Sequence, residues 1–274
     1  MTIYSDKTLS QKIERTAALS NADFVESRAK LFPQSGAEWI EVAGVYAMFD
    51  AIDSPATQTF GLGLFDEITD AEMDTIEAFF KERNTPVVHE VSPMADPAII
   101  PLLNKRGYQP IEFSSVMYQE IDPANFSAQP QNSQINTRLI NEDEVDFFAG
   151  ISTNGWSEEM PEYAEQMLEF SRVGASADGA LSFIAECNSE PMATGTLYIY
   201  NGVAALAGAS TIPSQRNKGA QTALLDARLR YAIENDCTIT IISALPGSQS
   251  QRNAEKNGFR IAYTRTKWQL FSDQ

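Results

Sequence analysis

The chain has 274 residues, 43% hydrophobic and 21% charged, ordinary proportions for a globular protein and enough length for about two domains at ~150 residues each. Its 37 acidic and 20 basic side chains give a formal charge of -17, which repels nucleic acid and anionic membrane surfaces. No apolar run approaches the roughly 18 residues of a membrane span, and the opening residues lack a secretory apolar core. Cys187 and Cys237 cannot build a disulfide framework, and one histidine, His89, leaves too few ligands for a zinc site. The expectation is a soluble cytoplasmic protein with no metal.

In chain order, the first half opens on a long helical segment followed by strands. A helix is predicted near Asp70–Asn84, where Met73, Ile76, Phe79 and Phe80 recur at helical spacing. It leads into an extended run, Val87–Ser92, in which His89 reads as a packed or surface imidazole. Just upstream, Gly61-Leu62-Gly63 is only part of a dinucleotide fingerprint and reads as a strand or turn detail. A short segment then ends in Lys105-Arg106-Gly107-Tyr108, and alternation predicts a strand over Ile111–Ile121. The polar stretch 122–134, with Pro123 and Pro130, reads as a linker between domains at 1–121 and 135–274.

The second half opens with helical patterns over Glu142–Gly150 and Glu162–Val173, with Trp156 between them. Strands follow over Leu181–Cys187, Met192–Tyr200 and Val203–Ile212, and Asn201-Gly202 marks a hairpin turn. A helix near Ala220–Asn235 leads into a strand, Thr238–Leu245. A short segment ends in Lys256-Asn257-Gly258-Phe259, and a last strand covers Ile261–Phe271. The order of helix, strand, short helix, Gly-aromatic pair and strand matches the first half, and Gly107 and Gly258 lie 151 residues apart. This points to an internal duplication of an α/β (α+β) unit with mixed strand directions.

Charge is uneven. From Arg216 to Lys267 nine basic residues face four acids, so that window is +5 and the rest of the chain is -22. Within it, the junction Ala209-Ser210-Thr211-Ile212-Pro213-Ser214-Gln215-Arg216-Asn217-Lys218-Gly219-Ala220-Gln221-Thr222 runs from strand to helix. A helix start carries unpaired N–H groups and partial positive charge, Gly219 allows close approach, and Arg216 and Lys218 add full charges. The junction is either an anion cradle or an ordinary capped helix. It is not a Walker loop, because the GxxxxGK[ST] spacing is absent.

Arg216-x-x-Gly219-x-Gln221 resembles the R/Q-x-x-G-x-G/A motif of the GCN5-related N-acetyltransferases, with Gln221 where that family has Gly or Ala. Pro246–Phe259 resembles the short helix and Gly-Phe of the family's next motif. The resemblance implies two tandem acyl-CoA N-acyltransferase-like domains, each a mixed, mostly antiparallel sheet flanked by helices, the first degenerate. It implies acetyl-CoA as co-substrate. Arg216, Asn217, Lys218, Gly219, Ala220, Gln221 and Thr222 would hold its pyrophosphate, and Ala209, Thr211 and Ile212 its pantetheine amides. Ser248, Ser250 and Asn253 would touch the pantetheine arm. A backbone N–H near Thr211 or Ile212 would polarise the thioester oxygen.

Two departures follow. The family's usual tyrosine acid falls at Ala254, and no acid lies between Ala204 and Ile212 to serve as the usual glutamate base. Tyr198, Tyr200 and Tyr263 are the candidate acids, and Glu186 or Glu158 could serve as a base through water. The expected function is transfer of acetyl from acetyl-CoA to a small-molecule or peptide amine, with a cationic acceptor favoured by charge. The alternative is a non-catalytic acyl-CoA-binding sensor or interaction module. No window from Gly61 to Asp74 holds a Lys or Arg, and it contains Asp66, Glu67, Asp70, Glu72 and Asp74, so only the second half is expected to bind the coenzyme.

Overall fold

A computed structural model describes residues 3–125, 134–158 and 161–271. In chain order its main elements are α1 (Lys7–Leu31), β1 (Glu38–Val42), β2 (Val45–Phe49), β3 (Gln58–Phe60), α2 (Asp70–Lys81), β4 (Val88–Val91), α3 (Ile99–Lys105) and β5 (Tyr108–Glu120). Then come β6 (Asn136–Leu139), α4 (Val145–Gly155), α5 (Ala164–Ala175), β7 (Leu181–Cys187), β8 (Glu190–Tyr200) and β9 (Val203–Thr211). The chain ends with α6 (Ala220–Glu234), β10 (Ile239–Ala244), α7 (Gln249–Lys256) and β11 (Arg260–Leu270). Pairing is mostly antiparallel, with β3 and β4 parallel, and helices flank the sheet. This is the mixed α/β architecture expected from the alternation of strands and helices.

The compact units do not follow the halves of the sequence. One unit comprises residues 1–119 together with 241–274, and the other residues 120–240. The reason lies in β11. It inserts between β4 and β5, antiparallel to both, so the two strands that follow the Gly-aromatic pairs bond to each other, from Arg260↔Tyr118 to Leu270↔Tyr108. Trp268 on β11 then joins Phe79, Phe80, Val91 and Tyr108 in one core. Each fully buried side chain of this kind contributes about 1.5–3 kcal/mol, and the linker at 122–134 gives no hint of the exchange. Residues 126–133 of that linker lie outside the described residues.

In the first unit α1 buries an unusual polar face. Glu14 accepts from the Tyr263 hydroxyl (2.6 Å) and pairs with Arg265, and all three are buried. His89 is fully buried, with Nδ1 2.8 Å from the Thr59 hydroxyl and its ring against Tyr108.

In the second unit the strand order is β9-β8-β7-β6, antiparallel throughout. Phe148 and Ile151 of α4 pack on Ile184 of β7. The β8–β9 ladder shifts register between Thr194↔Ser210 and Thr196↔Ala207, so Gly195 alone faces both Gly208 and Ala209. That extra residue is a β-bulge. Gly208 has φ +59°, a backbone state that glycine adopts without strain. Residues 207–209 are exposed, while 203–206 before them are buried.

Candidate functional site

Pro213 ends β9 because it has no N–H to donate and its ring fixes φ. A short turn over Pro213–Gln215 follows, then Asn217 at φ +61° and Gly219 at φ +90°. Gly219 caps α6 with no side-chain bond to the first turn, and that turn contains no acid. The first amides of the helix therefore present their N–H groups and the positive end of the dipole outward. The corresponding helix of the first half, α2, is closed from within. Thr69 and Glu72 form a capping box there, and Lys105 and Arg106 bind Asp70. Those bonds, Lys105 first, hold the Asp70 carboxyl below its usual range.

Several side chains tie the junction together. Gln221 Nε2 donates to the Ser210 carbonyl (2.8 Å) and to the Thr211 hydroxyl (2.9 Å), binding the first turn of α6 to the end of β9. Arg216 Nη2 donates to the Gly155 carbonyl at the end of α4 (2.9 Å), and Nη1 pairs with Glu158 (3.2 Å). Gly155 must be small. A Cβ there would lie 2.6 Å from Ser210 Oγ and 2.9 Å from the Thr211 nitrogen. Ser210 in turn is 2.9 Å from the Thr194 hydroxyl.

An uncapped, glycine-started helix end has the N–H groups and dipole to accept an anion. Residues 137–259 match the acetyltransferase (GNAT) family model. That segment is a GNAT acetyltransferase domain. Solved structures agree in fold. A GCN5-related N-acetyltransferase from Kribbella flavida superposes with a TM-score of 0.63 at 14% identity, covering 92% of this chain and 96% of that one. A tandem GNAT protein from the clavulanic acid biosynthesis pathway gives 0.55 at 13% identity, covering 74% and 70%. A putative GNAT acetyltransferase from Novosphingobium aromaticivorans gives 0.54 at 12%, covering 91% and 97%. No curated protein matches by sequence.

Within the GNAT junction the structure gathers Ala209, Thr211, Ile212, Arg216, Asn217, Lys218, Gly219, Ala220, Gln221 and Thr222 on one strand, loop and helix start. Their side chains divide the work differently from the sequence expectation. Arg216 is occupied by Gly155 and Glu158, and Lys218 Nζ by Gln215 (3.0 Å). The Ile212 N–H donates to the Met192 carbonyl (2.9 Å) and so belongs to the sheet. Alternation along an antiparallel strand turns the Thr211 N–H away from β8.

The remaining candidates lie on other elements. Ser248 caps α7, accepting from the Gln251 N–H, and Asn253 accepts from Gln249 Nε2 (2.7 Å). With the exposed Ser250 they belong to the other compact unit. Tyr198 is buried, its hydroxyl 3.5 Å from the Gly174 carbonyl, and Tyr200 stands beside the Asn201-Gly202 turn. Glu186 pairs with Arg138 at the β6–β7 edge (3.4 Å). The Tyr263 phenol is held by Glu14, and burial pushes its pKa well up. The sequence reading gave no role to Gly208 or Gly155 and counted Arg228 only as part of the basic island. A glycine inside a strand pattern is the signal that marks a bulge, and Gly208 carried it.

Proposed function

We propose that the β9–α6 junction holds acetyl-CoA and that the protein transfers the acetyl group to an amine. The uncapped start of α6 at Gly219 carries this reading, because the family's coenzyme has a pyrophosphate that such a helix end accepts. The amides of the Asn217–Gln221 segment would hold the phosphates, and β9 from its exposed residues 207–209 to Thr211 would take the pantetheine amides as an added strand does. The Thr211 N–H would polarise the thioester oxygen. In the transfer the amine nitrogen bonds to the acyl carbon, the carbon–sulfur bond breaks, the nitrogen loses a proton and the sulfur gains one.

Tyr198 and Tyr200 remain the tyrosines to test as the acid, since Tyr263 is committed to Glu14. A net charge of -17 would draw a cationic amine by long-range steering, whether a small molecule or a peptide. One observation favours a second reading. The exposed part of β9, Ala207-Gly208-Ala209, carries no ionisable side chain, as suits an acyl-CoA sensor that binds without turnover. Calorimetry with acetyl-CoA tests the site, and thiol release across a panel of amines separates the two readings. Binding with thiol release supports the transferase. Binding without release from any amine supports the sensor, and absence of binding refutes both.

A further inference from the structure

Arg228 lies in the middle of α6 and is buried, only 3% exposed, yet no carboxylate among the described residues pairs with it. Burial alone pulls its pKa down to about 10. A buried charge without a counter-ion is costly and persists only where something is gained. Its contacts show where it is directed. Nε donates to the Leu224 carbonyl (3.1 Å) and Nη1 to the Thr196 carbonyl (3.3 Å), at the residue where the β8–β9 register resumes after the bulge.

Gly195 completes the arrangement. It is the single β8 residue facing the bulge, and unlike Gly208 it is not among the residues with positive φ. Its backbone would accept any residue, so its lack of a side chain serves space. A Cβ at Gly195 would lie 2.8 Å from both Cζ and Nη1 of Arg228. The guanidinium therefore occupies the volume a side chain would fill, pressed against β8 at the one position where β9 has an extra residue. Opposite it, a Cβ on Gly208 would meet Thr196 Oγ1 at 3.3 Å.

We infer that Arg228 and Gly195 form a lock that holds the β9 bulge, and that Arg228 is a positioning residue for the pantetheine arm. The planar fork of the guanidinium donates to a helix carbonyl and a strand carbonyl together, which an ammonium on a flexible stem reproduces poorly. With the fork seated, residues 207–209 stay turned out of the ladder. Arg228 touches no reacting atom. The ligand part of this inference rests on the proposed acetyl-CoA site, whereas the control of the bulge does not.

Two variants test the lock from its two sides. Arg228→Lys keeps the charge and loses the fork, and Gly195→Ala keeps the arginine and displaces its movable end. Amide hydrogen exchange in the free protein reads the bulge directly. Both variants should change exchange at Gly208 and Ala209 by about tenfold or more while leaving the amides of 220–234 within about twofold. Calorimetry reads the ligand. Both should weaken coenzyme A by about tenfold, or ~1.4 kcal/mol, and leave the coenzyme's nucleotide half, offered without its pantetheine arm, within about twofold. Wild-type exchange at 208–209 in both variants would overturn the lock. Equal loss of coenzyme A and of the nucleotide half would overturn the positioning role. If the wild type binds neither, the acetyl-CoA reading and with it the positioning role fall, and the exchange result still decides the lock.

Discussion

Gly219 and Gly107 form a matched pair that separates backbone strain from loss of a ligand site. Both sit in the left-handed region, at φ +90° and φ +87°, one before α6 and one before β5. An alanine in that region costs about 1–2 kcal/mol whatever surrounds it. At Gly107 the new Cβ would meet the Phe271 carbonyl at 3.4 Å, an ordinary contact that adds little. For a chain of this size each 1 kcal/mol moves Tm by roughly 2–4 °C, so Gly107→Ala and Gly219→Ala should melt about 2–8 °C below wild type, and by similar amounts. Their affinities should diverge. At Gly219, on the proposed reading, the methyl would stand where backbone approaches phosphate, and acetyl-CoA should bind at least about tenfold more weakly, or ~1.4 kcal/mol. Gly107→Ala should bind as wild type does. Differential scanning calorimetry and titration calorimetry on the two variants suffice. Equal affinity in both variants, whether kept or lost, would refute the assignment of the α6 start as the phosphate site.

Acetyl-CoA should bind once per chain, because Thr69 and Glu72 close the start of α2. Thr69→Ala should cost about 1 kcal/mol of stability and leave the titration stoichiometry at one, and a stoichiometry near two would refute the division. Burial lowers the His89 pKa from 6.5 to about 3, so between those values the unfolded chain binds a proton that the native protein does not. Stability from this group is complete above 6.5 and is lost as pH falls, by about 2 kcal/mol near pH 5 at ~1.36 kcal/mol per unit. His89→Gln should flatten that slope in denaturant titrations, and an unchanged slope would exclude His89 as its source. Tyr263→Phe leaves Glu14 without its 2.6 Å donor; it should cost about 1–3 kcal/mol and leave kcat for thiol release unchanged, whereas a fall of about 100-fold would make Tyr263 the acid.

Which of these features the sequence disclosed depended on the range of the interactions behind them. Strands β7, β8 and β9 and helix α6 were legible to within a residue or two, because alternation, Asn201-Gly202 and Pro213 are local signals. The geometry of the β9–α6 junction was legible for the same reason, since a proline-stopped strand, a polar loop and Gly219 lie within a few residues of one another. The exchange of β11 was not. Nothing in Ile261–Phe271 says that its partners are β4 and β5; the contacts that hold it there, Trp268 against Phe79, Phe80 and Tyr108 and Lys267 with Glu90 and Glu112, all join residues far apart in the chain. Charge misled in a systematic way. Arg216, Lys218 and Arg228 all counted toward one basic island, but Arg216 ties α4 to the β9–α6 loop and Arg228 is buried against β8. A formal charge says nothing about which carbonyl holds it.

The Gln221 departure shows what such side chains do to a motif. Where the family uses a residue too small to reach, Gln221 extends to the Ser210 carbonyl and the Thr211 hydroxyl. Its bond to Ser210 falls on the sheet-facing side of β9, since residues 210 and 212 share one edge and the Ile212 N–H is already paired with Met192. The Thr211 backbone, facing the other way, is untouched by it. The substitution therefore fastens the helix to the strand without occupying the edge a pantetheine arm would use, and Gly155 packs against the same two residues from α4. A motif read by residue type alone counts Gln221 as damage. By its bonds it fastens α6 to the strand end, and the start of α6 at Gly219, two residues earlier, keeps no side-chain cap.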